Sequence, residues 1–193
     1  MPIDRRRRRA AGQTLAEVAI VLPLLFLLMF GLLELGWAMY QSNVMRGYVR
    51  EASNIISRNG TIEDAEVGVI AAAAAGGPFD VGPESESSTL ILSVITLAST
   101  GDNAGRPVII QRHAIGRLEE QSVLGDPPAS AFGRAPDYNA LDPSDDGRLV
   151  ATLPEGYTLQ AGQSLFVTEI YTRRERIVDV GELPDVLYAS AFF

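Results

Sequence analysis

GQTLAEVAIVLPLLFLLMFGLLELGWAM, residues 12–39, decides how this chain is read. From Val18 to Met39 it runs 22 residues with Glu34 as the only ionisable side chain. A helix of that length spans about 33 Å, against about 30 Å for the hydrocarbon core of a bilayer. A buried helix of a water-soluble domain is rarely apolar over so long a run. The run predicts a single transmembrane helix. On its N-terminal side Arg5 to Arg9 face only Asp4, while the far flank carries Arg46, Arg50 and Glu51. The heavier basic flank stays cytoplasmic, which predicts an extracytoplasmic C-terminal part.

The helix is expected to continue past the apolar run. Tyr40, Val44, Met45, Tyr48, Val49, Ala52, Ile55 and Ile56 recur at spacings of three and four, with polar residues between them. That is an amphipathic helix with one apolar stripe, and Asn59-Gly60 is a C-terminal stop. One helix from about Gln13 to Arg58 would be roughly 70 Å long. Pro23 lacks an N–H and is expected to kink it. Gly31 and Gly36 permit close approach of a neighbour, although their spacing is not GxxxG.

Beyond the helix the pattern changes. Ile62 to Ala75 reads as a second helix, with Thr61 and Asp64 in capping-box positions and Gly76-Gly77-Pro78 as its end. Ser88–Ala98 and Pro107–Ile115 read as strands joined through the Gly101–Gly105 turn into a hairpin. Ser164–Thr172 reads as a third strand and Val186–Phe193 as a fourth. Residues 118–163 are rich in Pro, Gly, Asp and Ala and predict only short local structure. The expected class is α+β: a long N-terminal transmembrane helix whose amphipathic half packs on a small, mostly antiparallel sheet. The expected divisions are a basic leader (1–12), the helix (13–59) and an extracytoplasmic domain (60–193).

Charge and composition exclude several functions. The net charge is −8, and the first twelve residues contribute four net positive charges, so the remainder stands at −12. An acidic bulk argues against nucleic acid as a partner. With no cysteine there is no disulfide, thiol catalysis or cysteine metal site. His113 is the only histidine, and a lone His on a strand is usually packed or hydrogen-bonded. Asp142-Pro143-Ser144-Asp145-Asp146-Gly147 has the spacing of the first half of a calcium loop. Leu153 stands where the bidentate carboxylate belongs, so a solvated acidic turn is the better reading. Arg173-Arg174-Glu175-Arg176 reads as a solvated strand end. No catalytic triad, phosphate loop or metal cluster can be assembled, so neither an enzyme nor a cofactor is expected.

The order of features at the N-terminus is informative. A basic leader ends in Gly12, Glu17 follows five residues later, and only then does the apolar run begin. A secretory signal instead places a small-residue cleavage site after a shorter run. The arrangement resembles the signal of type IV prepilins, and most closely the N-terminal region of TadE-like minor pilins. The residues that carry the likeness are Gly12 with Glu17, Leu22-Pro23, the element Phe30-Gly31-Leu32-Leu33-Glu34-Leu35-Gly36, and the Arg-containing amphipathic extension, over about residues 10–58. The family's common aromatic after the glutamate is Val18 here.

The resemblance implies a pilin-like fold. It also implies cleavage between Gly12 and Gln13 by a membrane-embedded prepilin peptidase, which makes Glu17 the fifth residue of the mature subunit. It implies as partners other pilins and an inner-membrane assembly platform of a Tad (Flp-type) system, besides membrane lipid. The location implied is the bacterial inner membrane, with a periplasmic C-terminal domain and incorporation into an extracellular pilus as a further destination. The physics of Glu17 agrees. A carboxylate at the membrane edge is costly unless paired, and cleavage would create an α-amino partner at Gln13. A solvated first-turn glutamate is the plainer alternative. Glu34, deeper in the run, is a candidate for an intramembrane contact or for snorkelling to the interface. The competing functional reading is an uncleaved, signal-anchored periplasmic binding or sensory protein.

Overall fold

The computed structural model describes residues 5–59, 61–63, 65–66, 68–70, 79–177 and 183–193; for residues 5–16 and 59 it describes the backbone only. Its elements are one long helix, α1 (Arg5–Asn59), and four strands: β1 (Ser88–Leu97), β2 (Pro107–Gly116), β3 (Ser164–Arg173) and β4 (Val186–Phe192). The class is α+β, as the sequence predicts. All four strands lie within a residue or two of their expected bounds. The chain divides into two units, one formed by residues 1–40 with 175–183, the other by residues 41–174 with 184–193.

In the first unit α1 begins at Arg5 rather than near Gln13. Arginine is a good helix former and no proline lies between Arg5 and Pro23, so the leader continues the same rod. The helix also passes through Pro23 without interruption. Proline there leaves the Ala19 carbonyl without its usual donor.

In the second unit the sheet order is β2-β1-β3-β4, antiparallel throughout. The expected hairpin of β1 and β2 is present, with a register shift after Val94 that leaves Ile110 as the extra residue on β2. The inner strand β1 is buried along most of its length. Its sequence places apolar residues on both faces rather than alternating them with charged ones, because both faces of the sheet are covered.

One face carries Leu90, Leu92, Val94, Ile115, Ile170, Ala189 and Ala191. It packs on Met45, Val49, Ala52 and Ile56 of α1 and on Ile62, Ala65 and Val69 of the next segment. Residues 62–63, 65–66 and 68–70 of that segment are helical; Asp64 and the predicted end at Ala75–Pro78 lie outside the described residues. Full burial of a Val, Ile or Met here contributes about 1.5–3 kcal/mol each. Alanines at 52, 189 and 191 keep the seam thin. Within it Ser53 Oγ donates to the Ala191 carbonyl at 3.2 Å, and Tyr48 OH to the Val69 carbonyl at 3.0 Å.

The opposite face is covered by the long segment 118–163. It holds two 3-10 turns, Ala129–Ala131 and Gly147–Leu149, and works as a second layer. Leu124, Ala131, Phe132, Leu149 and Ala151 pack on Ile95, Ile109, Leu165 and Val167. The same segment covers part of the outer edge of β2: Tyr138 O accepts from Arg112 N at 3.1 Å, and Ala140 N and Ala151 N donate to Ile110 O and Pro107 O. An edge covered this way is closed to unwanted strand pairing.

Candidate functional site

The residues singled out at the N-terminus all lie on α1. Gly12 and Gln13 are in helical backbone, and the Gln13 side chain is not among those described. From Glu17 to Phe30 every residue of the helix is exposed. Among the exposed side chains are Val18, Ile20, Val21, Leu22, Leu24, Leu25 and the stacked pair Phe26–Phe30. This helix is long and apolar enough to cross a membrane.

The exposure changes at Gly31. Gly31, Glu34, Trp37 and Ala38 are partly or fully covered, while Leu32, Leu33, Leu35, Gly36 and Met39 stay exposed. The covered positions follow a spacing of three and four, so they form one face of the helix. Segment 175–177 lies against this face. Ile177 N donates to Glu34 Oε2 at 3.0 Å, and Trp37 Nε1 donates to the Glu175 carbonyl at 3.0 Å. Glu34 is only 1 % exposed, and its carboxylate therefore has a partner in its own chain. Trp37 also stacks on Tyr40 with centroids 5.3 Å apart.

In the second unit the structure assembles two polar groups that the sequence does not announce. On the helix-covered face, His113 Nε2 lies 3.2 Å from Glu66 Oε1 and Tyr138 OH donates to Glu66 Oε2 at 2.9 Å. The imidazole stacks on the Tyr138 ring at 4.0 Å. His113 is thus hydrogen-bonded and packed, in line with the plain reading of a lone histidine. Burial lowers its pKa, against the upward pull of Glu66. Burial, followed by the hydrogen bond to Glu66, pushes Tyr138 up to about 12.

On the other face Glu169 of β3 is fully buried. Its carboxylate accepts from Val123 N at 3.0 Å, from Tyr171 OH at 3.2 Å and from Ser122 Oγ. Arg112 Nη2 lies 4.0 Å away, an ion pair without a direct hydrogen bond. The guanidinium is held elsewhere, by Ser93 Oγ at 3.3 Å and Gly125 O at 2.9 Å. Burial lowers the Arg112 pKa and the charge of Glu169 opposes that.

The acidic loop is a latch. Asn103, in the β1–β2 turn, donates through Nδ2 to Pro143 O at 3.2 Å and to Asp146 O at 2.9 Å. Asp145 Oδ1 accepts from Asp102 N at 3.0 Å. Asp146 is held by Arg148, whose hydrogen bonds keep its carboxyl below the usual range. Oxygens that a calcium ion would need are thus engaged by donors, which supports the acidic turn over the ion loop. Among the described residues no cluster of three or more His, Asp or Glu could hold a metal ion. The Arg173–Arg176 stretch departs from expectation at one place. Arg174 is buried, and its backbone N donates to Asp185 O where β3 and β4 part.

Comparison with known proteins bears on α1 alone. The model of the family described as TadE-like protein matches residues 12–54. No curated protein and no solved structure matches the chain. The matched span opens at Gly12 and closes at Asn54 within the amphipathic half of α1, so it covers the same features that carried the resemblance. Residues 12–54 of this chain are therefore similar to the TadE-like family.

Proposed function

We propose that the chain is a minor pilin or pseudopilin of a Tad (Flp-type) system, processed by a prepilin peptidase and assembled through α1. The observation that carries this is the division of α1 into two chemically different halves. Residues 18–30 present apolar side chains all round, every one of them exposed. From Met45 to Ile56 the same helix buries one stripe on the sheet. A subunit that must pass between a bilayer and a helical bundle needs such a rod, joined to a domain that stays folded throughout.

Cleavage after Gly12 would remove the five arginines that hold the inner end of the rod at the cytoplasmic face. It would leave Glu17 near a new α-amino group, and in an assembly that cation can belong to a neighbouring subunit. Gly12 is a weak helix former, by about 1 kcal/mol relative to alanine, which eases local unwinding for a protease. The leader (1–12), the rod (13–59) and the periplasmic domain (60–193) then have separate tasks, and none of them is catalytic.

Intact-mass measurement of the membrane protein, with and without a prepilin peptidase, tests this. The expected result is loss of residues 1–12, abolished by Gly12→Val. Glu17→Leu should leave the chain cleaved and membrane-inserted but absent from assembled material. A chain that keeps its first methionine in the presence of active peptidase would instead mark an uncleaved anchor.

A further inference from the structure

Residues 175–177 form a non-helical strap lying along α1, and its backbone is satisfied in an unusual way. A backbone N–H or C=O needs a partner wherever water is scarce. Here the Ile177 N–H is taken by the Glu34 carboxylate and the Glu175 carbonyl by the Trp37 indole. The converse also holds: a carboxylate at this depth in an apolar run is costly unless it is bonded, and a tryptophan indole seeks an acceptor. Helix and strap therefore each supply what the other lacks.

The place of this exchange matters. Glu34 precedes Met39, the last residue of the apolar run, by five positions, about 7.5 Å along the axis. Trp37 and Tyr40 lie at the end of the run, where aromatic residues gather at a membrane–water interface. The Glu34 bond fixes Ile177 inward of that aromatic pair. Ile177 itself points away from cover and is 55 % exposed. On the helix at the same level, Leu33 and Leu35 are exposed too.

We infer that the strap is a second membrane contact: Ile177 inserts into the outer-leaflet interface beside α1, and the Glu34 and Trp37 hydrogen bonds hold it there. This rests on the membrane reading of α1, and it assigns Glu34 the role of satisfying a backbone at membrane depth.

The chain has no cysteine, so single cysteines can be introduced into the full-length protein. Ile177→Cys and, as reference, Leu27→Cys are labelled with an environment-sensitive fluorophore and reconstituted in phosphatidylethanolamine/phosphatidylglycerol vesicles. Quenching is measured with lipid-borne spin labels and with aqueous iodide. The inference expects position 177 to be quenched by shallow lipid labels at least as strongly as position 27 is by deep ones, and to be shielded from iodide. Glu34→Leu should return position 177 to iodide and leave position 27 unchanged. Iodide access at 177 with lipid quenching at 27 overturns the strap contact alone. Shielding of 177 from both quenchers means burial against protein and overturns it too. Unaltered quenching at 177 in Glu34→Leu overturns the role given to Glu34. Loss of lipid quenching at position 27 sinks the membrane reading itself.

Discussion

Replacing Glu169 by leucine removes the centre of the polar group on the outer face of the sheet, and its cost can be worked from the contacts. Val123 N and Ser122 Oγ lose their acceptor; a buried donor left unsatisfied costs about 1–3 kcal/mol. Arg112 loses its counter-charge while remaining buried. Breaking a buried pair from one side typically costs about 3–5 kcal/mol, a total that already contains much of the donor term. A loss of about 3–5 kcal/mol is large against a domain stability of about 5–15 kcal/mol.

Arg112→Met should cost less, because Glu169 keeps its neutral donors. The pair replaced together, Arg112→Met with Glu169→Leu, should be less damaging than the sum of the single changes, by a coupling of about 1–3 kcal/mol. Pulse proteolysis across a urea series reads this on the full chain in detergent. With a urea m-value of about 1–3 kcal/mol/M, the Glu169→Leu midpoint should move by on the order of 1–5 M. Strictly additive single changes, or a Glu169→Leu midpoint that does not move, would refute the view that the two charges form one unit pinning the 118–126 segment to the sheet.

Two further outcomes follow from the second unit. The folded state depresses the His113 pKa below the ordinary 6.5, so in the window below 6.5 the unfolded chain binds a proton that the folded chain does not. Stability should therefore fall as pH drops through that window, with a slope from this group of at most about 1.4 kcal/mol per pH unit. His113→Gln should flatten it, and an unchanged slope in urea midpoints from pH 7 to 5.5 would count against the Glu66–His113–Tyr138 group as its source. Asn103→Ala should cost about 1 kcal/mol, at the low end for orphaned acceptors, because the Asn103 Oδ1 atom it deletes is itself buried without a partner. The change should speed protease nicking between Asp142 and Gly147, and equal nicking rates would argue that the latch is unimportant.

The strands were legible because each is a β-branched or aliphatic run bounded by turn chemistry, and local sequence is sufficient for that. The second layer was not. Leu124, Phe132 and Leu149 are scattered through 118–163 with no period, and only the sheet face they meet makes them core. The sequence places the start of α1 near Gln13 because a run of arginines reads as a tail by charge, and it is arginine's helix propensity that carries the helix back to Arg5. Of the site, Gly12, Glu17 and Glu34 stood out by position against an apolar background. The partner of Glu34 did not, since Ile177 is 143 residues away. Glu169 leaves only an ambiguous trace in the sequence: a lone carboxylate inside the apolar strand SLFVTEIYT must be either paired or the mark of an exposed face, and its partners lie 46 and 47 residues away.

The exposed rod can be weighed by the same physics. Eleven large apolar side chains between Val18 and Phe30 are 40–76 % exposed. At about 1.5–3 kcal/mol for full burial of each, and with roughly half of each surface in question, leaving them in water would cost on the order of 10–15 kcal/mol. That matches or exceeds the whole folding stability of a domain of this size, so the rod must be covered by lipid or by other helices. These two covers are nearly equivalent for an apolar side chain, since lipid tails are as apolar as leucine. Hydrophobicity therefore keeps the rod out of water without choosing between membrane and bundle. The choice falls to the few polar groups on it. Glu34 is engaged within the chain by Ile177; under the proposed function Glu17, at the inner end, is the group expected to discriminate one destination from the other, and Glu17→Leu is the change that tests it.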